Sequence, residues 1–132
     1  MLATFPTDNV IFGVDCSDNG EYIATGGNDN SVKIWQPDGT FLKTLSKHNG
    51  VVRDIAFRSD GLMAASASDD GSVKLWQRNQ SLLRPLYGHQ DTVWDIATSA
   101  DGQLIASGGD NWVRDYLRTN IKVEKIDRSL CQ

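Results

Sequence analysis

The sequence predicts an all-β protein built from repeated four-stranded antiparallel units. Three observations carry that expectation. Marked residues recur every 41 positions: Gly20, Gly61 and Gly102, then Trp35 and Trp76, then His48 and His89. Short β-branched and aromatic runs alternate with turns rich in Gly, Asn and Asp. Twelve Gly in 132 residues supply many tight turns, and no apolar run is long enough for a membrane-spanning helix.

The apolar positions follow the same period: Ile11, Val52 and Val93, and likewise Val14, Ile55 and Ile96. So do the hydroxyls of Thr25, Ser66 and Ser107. In the second unit the first strand is expected over 51–58, a β-branched and aromatic run ended by the turn residues Ser59-Asp60-Gly61. A second strand over 62–67 leads into Asp69-Asp70-Gly71, a hairpin connection. Strands over 73–78 and 81–87 complete the unit. The first unit repeats it over 10–16, 21–26, 32–36 and 40–46. Small residues (Ala64, Ala65, Ser66, Ala67) fill an inner strand, as expected where neighbouring sheets approach face to face. Four antiparallel strands in each period suit one blade of a β-propeller, which limits exposed sheet edges by radial repetition.

Charge and cysteine content narrow the function classes. Seventeen acidic against 13 basic residues give a net charge of −4, which disfavours nucleic acid as a partner. No basic segment leading into an apolar stretch opens the sequence, so it does not read as a secretory signal. Cys16 and Cys131, without a CxxC, read as two unrelated thiols in a reducing cytoplasm. Asn28-Asp29-Asn30 and Asp69-Asp70-Gly71 lack the spacing and final Glu of a calcium loop. No phosphate loop or cofactor motif is present. The expectation is a non-enzyme with no cofactor, no metal and no membrane contact.

Gly88-His89, the Ser-Asp-Gly turn and Ser72-Val73-Lys74-Leu75-Trp76 together resemble a WD-repeat β-propeller over about residues 10–110. Gln36 and Gln77 replace the Asp that usually follows Trp, and Lys47-His48 stands where Gly-His is usual. The resemblance implies a structural tetrad of His48, Ser66, Asp70 and Trp76 in the second unit. It implies a partial one of Thr25, Asp29 and Trp35 in the first, where Thr7 stands in place of His. In the third it implies His89 and Ser107. A motif scan could instead read His48, Ser66 and Asp70 as a hydrolase triad, but Ser66 lies within a strand, without a G-x-S-x-G turn. Each tetrad hydrogen bond contributes only about 0.5–1.5 kcal/mol net, yet a connected buried network fixes turn and strand register.

The tail breaks the period. Trp112/Tyr116 and Val113/Leu117 lie at i,i+4, which predicts a helix over 111–120, and a second short one over 124–130. Residues 111–132 are basic against an acidic 1–110, which suits either docking on the body or a solvated helix face. The tail resembles the C-terminal ends of large bacterial WD-repeat proteins, here joined halfway through a blade. The expected organisation is therefore a propeller fragment over 1–110, with blades at about 10–46 and 51–87 and a partial one at 93–110. A helical tail over 111–132 would follow.

About two and a half blades cannot close a ring, since propellers have roughly four to eight. Residues 2–5 echo a fourth strand and could complete another blade. Chains are thus expected to associate. The resemblance implies a scaffold for protein–protein interaction, with Phe12, Arg53, Trp94, Asn28 and Asp69 as partner-binding residues. Phe12, Arg53 and Trp94 share one repeat position. The alternative is a truncated remnant of a larger bacterial signalling protein, without independent function.

Overall fold

Three copies of one turn set the strand boundaries. Gly20, Gly61 and Gly102 have φ of 74°, 72° and 72°, in the left-handed region that Gly enters without steric penalty. Each Gly amide donates to the carbonyl three residues back, on Ser17, Arg58 and Ser99 (2.9, 2.8 and 2.9 Å). The amides of Ser17, Arg58 and Ser99 then donate forward to the carbonyls of Tyr22, Met63 and Leu104 (2.9, 2.8 and 3.0 Å). The chain is returned antiparallel at the same place in every repeat.

The structure, a computed structural model, describes residues 9–58, 61, 63–77, 82–86, 89, 91–111 and 118–125. Within them lie β1 (Ile11–Cys16), β2 (Ile23–Gly27), β3 (Ser31–Trp35), β4 (Phe41–Lys47), β5 (Val52–Phe57), β6 (Met63–Ser68), β7 (Val73–Gln77), β8 (Leu82–Leu86), β9 (Val93–Thr98), β10 (Leu104–Asn111) and β11 (Arg118–Lys125). They form two four-stranded sheets, β1-β2-β3-β4 and β5-β6-β7-β8, and a three-stranded sheet, β9-β10-β11. Every pairing is antiparallel. Pro85, which cannot donate to a ladder, sits on the outermost strand β8.

Two expectations about the tail need correction. The helix expected over 111–120 is not formed at its ends, since Asn111 closes β10 and Arg118, Thr119 and Asn120 begin β11. The second helix fails at its start, because Glu124 and Lys125 pair with Ile105 and Leu104. The third blade therefore has a third strand, running in continuous register from Leu104↔Lys125 to Asn111↔Arg118. The alternation of β-branched Ile121 and Val123 with polar residues favours this pairing over a helix. Residues 112–117 and 126–132, and the outer strand expected over 2–5, lie outside the described residues.

The blades stack through two apolar cores. Ala24, Val32, Ile34 and Leu45 of the first blade meet Val52, Ile55, Phe57, Ala64 and Trp76 of the second. Ala56, Met63, Ala65, Ala67, Val73 and Leu75 of the second meet Val93, Ile96 and Ile105 of the third. Strand β6 is buried at all six positions, which accounts for its small side chains. At the first interface a Cβ on Gly26 would clash with Val52 Cγ1 and lie 2.9 Å from Ile55 Cδ1.

Strands β1, β5 and β9 are the end strands of their sheets and lie side by side. Side chains pin them to one another. Asp15 Oδ2 accepts from the Phe57 amide at 2.8 Å, and Asp54 Oδ2 accepts from the Ile96 amide at 2.9 Å. Thr98 Oγ1 donates to the Phe57 carbonyl at 2.8 Å. This common edge positions the candidate site.

Candidate functional site

The second blade assembles a connected polar network. Trp76 Nε1 donates to Ser66 Oγ at 2.8 Å, and Ser66 Oγ lies 2.5 Å from His48 Nε2. His48 Nδ1 lies 3.0 Å from Asp70 Oδ2. Asp70 further accepts from the Asn49 amide (3.0 Å), the Ser72 amide (2.9 Å) and Ser72 Oγ (2.6 Å). Burial lowers the His48 pKa more than Asp70 raises it, so the imidazole is neutral. One proton arrangement then satisfies the line: Ser66 donates to Nε2, and Nδ1–H donates to Asp70. His48, Ser66 and Asp70 have the connectivity of a hydrolase triad. Ser66, however, is wholly buried beneath Trp76, so no substrate carbonyl reaches its hydroxyl.

Burial alone would raise the Asp70 pKa, but hydrogen bonds from Ser72 and Asn49 together with His48 outweigh it and bring it to about 2. A depressed carboxylate stabilises the fold above its unfolded pKa and loses that contribution as pH falls through the folded value. Urea midpoints should therefore fall as pH drops from 4 toward 2, and Asp70→Asn should make that acid limb shallower, leaving the part owed to the other lowered carboxylates. An identical limb in both proteins would overturn the assignment. The lowered His48 pKa works in the same direction, removing stability as pH falls below about 6.5, where the unfolded chain takes up the proton first.

The other blades hold parts of this network. In the first, Trp35 Nε1 donates to Thr25 Oγ1 at 2.9 Å. Asp29 accepts from the Ser31 amide (3.1 Å) and from Asn9 Nδ2 (3.2 Å), and pairs with Lys33 (3.1 Å). In the third, His89 Nε2 lies 2.9 Å from Ser107 Oγ. Thr7 lies outside the described residues.

The partner-binding candidates are brought together by a feature that sequence reasoning missed. In all three end strands the pairing register slips at one repeat position. Ile11 and Gly13 pair with Gly27 and Gly26, leaving Phe12 out. Val52 and Asp54 pair with Ser68 and Ala67, leaving Arg53 out. Val93 and Asp95 pair with Gly109 and Gly108, leaving Trp94 out. Each is the extra residue of a β-bulge, a device that re-aims a side chain away from the ladder. The three bulges face one another: the Arg53 guanidinium carbon lies 4.8 Å from the Phe12 ring centroid and 4.9 Å from that of Trp94.

Asp69 fixes this stack. Arg53 Nε donates to Asp69 Oδ1 at 2.7 Å and Nη2 to Oδ2 at 2.8 Å, the bidentate fork typical of strong Arg–carboxylate pairs. The Arg53 hydrogen bonds hold the Asp69 carboxylate below its ordinary range and raise the guanidinium in turn. Phe12 and Trp94 each remain 48% exposed, enough to meet a partner. Asn28, the first-blade counterpart of Asp69, does something else: its Oδ1 accepts from the Val10 amide at 3.1 Å. Beside the stack, burial, and next the Asp95 carboxyl, push Asp54 up to about 6.

Among the described residues no group of His, Cys, Asp and Glu is placed to hold a metal ion. None of their helices is long and apolar enough to cross a membrane.

The chain matches the family described as WD domain, G-beta repeat over residues 1–36, 39–77 and 80–114, well over half its length. Each match is offset from a blade: 39–77 takes in β4 of the first sheet and β5, β6 and β7 of the second. Nuclear distribution protein PAC1 of Tuber melanosporum (strain Mel28) is 44% identical over 43 residues, 33% of this chain and 10% of that protein. Nuclear distribution protein nudF 2 of Talaromyces marneffei (strain ATCC 18224 / CBS 334.59 / QM 7333) is 40% identical over 45 residues, 34% of this chain and 10% of that protein. Each match thus spans about a tenth of these fungal relatives, and neither relative is bacterial.

Proposed function

The chain belongs to the WD domain, G-beta repeat family, and from that premise we propose that it is a non-catalytic scaffold for protein–protein interaction. The observation that carries this reading is the stack of Phe12, Arg53 and Trp94, three bulged residues from three blades held by Asp69. Exposed Trp and Arg are the residue types that most often anchor protein interfaces. Arg53 is already paired and stacked, so the surface it offers is a rigid one, and a pre-formed site loses less freedom on binding. The relatives' role in nuclear distribution belongs to much longer proteins, and only the repeat is carried over here. An exposed free thiol at Cys16 suits a reducing compartment, which supports a cytoplasmic location.

Affinity capture with the chain as bait tests this. Arg53→Ala together with Trp94→Ala should abolish capture of its protein partner while leaving the far-UV CD spectrum unchanged. Capture that survives both substitutions means the stack is not the site. A bait that captures nothing favours a remnant of a larger protein.

On this proposal, chains also associate into a larger propeller. It is supported by apolar side chains left open on the first and third blades, with Val14 62% and Leu104 42% exposed.

A further inference from the structure

The two internal blade interfaces use one seat. In the first, Gly26 and Ala24 on β2 lie in the core beneath Val52 and Ile55 of β5, and Gly26 has no room for a Cβ. In the second, Ala67 and Ala65 on β6 share a core with Val93 and Ile96 of β9. Each seat is thus a pair of small residues, and the two β-branched residues it receives lie 26 and 31 positions downstream of them.

The third blade repeats the receiving half. Gly108 and Ala106 stand 41 residues beyond Ala67 and Ala65. Here the seat is open: a Cβ on Gly108 would meet nothing within 4 Å. A groove of about 190 Å³ runs over Asp95, Ala97, Ala106 and Gly108. The first blade repeats the inserting half, since Ile11 and Val14 stand 41 residues before Val52 and Ile55, and Val14 is 62% exposed.

We propose that the open face of the third blade seats the first blade of a second copy of this chain, with Gly108 and Ala106 receiving Ile11 and Val14. The proposal rests on the reading that chains associate. A second copy is the occupant because the molecule twice shows these residue pairs in contact. The polar bridge of the second interface, Asp54 accepting from the Ile96 amide, has its counterpart positions in Asp95 and the Val14 amide at the proposed contact. The contact is heterologous, one face on a different face, so it ends in a closed ring where the rotation closes and runs on as an open filament where it does not. Two copies supply six blades, within the roughly four to eight that propellers use.

Light scattering on the 132-residue chain tests this. The wild type should have about twice the 14.5 kDa chain mass. Gly108→Val, which fills the seat, and Val14→Lys, which charges the inserting face, should each run at the single-chain mass with unchanged CD. Mixed in equal amounts, the two should recover the double mass, because each keeps the face the other has lost. A monomeric wild type, either variant retaining the double mass, or a mixture that stays monomeric overturns the proposal. Capture through Phe12 and Trp94 is read separately, so the scaffold reading and this one fail independently.

Discussion

Trp76→Ala should lose about 3–5 kcal/mol of stability, the usual cost of truncating a buried Trp or Phe. Trp76 has no exposed surface and belongs to the core between the first two blades, while its Nε1 donates to Ser66. Removing it opens a cavity and takes from Ser66 the donor that anchors the network running to His48 and Asp70. Against a total stability of roughly 5–15 kcal/mol, that is enough to unfold a marginal domain. Trp76→Phe separates the two effects. It keeps most of the apolar contact and loses the hydrogen bond, so its cost should be nearer the 1–3 kcal/mol of a disrupted buried polar group. Urea denaturation of both variants reads the difference, and equal losses would mean that the apolar contact contributes nothing beyond the hydrogen bond.

Gly26→Val should be the second most damaging substitution. In a strand, Val is favoured over Gly by up to about 1 kcal/mol, so propensity alone predicts a gain. Contact decides the sign. The new Cβ would clash with Val52 Cγ1 and stand 2.9 Å from Ile55 Cδ1, and overpacking of this kind costs about 1–3 kcal/mol. Thermal unfolding should show a lower midpoint for Gly26→Val than for the wild type. A Gly26→Val protein as stable as the wild type would mean that the first two blades do not pack as described.

Much of the fold was legible because it is local and repeated. The turn at Gly20, Gly61 and Gly102 needs a positive φ, and the 41-residue spacing displays that need three times. The set His48, Ser66, Asp70 and Trp76 was named through the resemblance to WD-repeat propellers rather than through a local rule, and its hydrogen bonds satisfy polar atoms that burial would otherwise leave unpaired. The tail was misread because two periodicities compete there. Trp112/Tyr116 and Val113/Leu117 present a helical spacing, whereas Ile121 and Val123 present the alternation of a strand, and only pairing with β10 selects the second for 118–125. Asp15 and Asp54 were not legible as bridges, because nothing in a Val-Asp or Asp-Ile pair says that the carboxylate accepts from the next blade. The bulges were invisible for a deeper reason. A bulge is an extra residue relative to the partner strand, not relative to the repeat, so the period runs through it unbroken. The one signal available was that Phe, Arg and Trp occupy a single repeat position, which a packed core would not tolerate.

Those bulges separate what the molecule displays from what makes it fold. Positions 12, 53 and 94 lie outside the ladder pairing, and none of their residues belongs to either core. On the proposed scaffold reading, a substitution there meets recognition before it meets the packed cores, which is the condition under which a surface can diversify quickly. The same scaffold could be given a new specificity by randomising three codons.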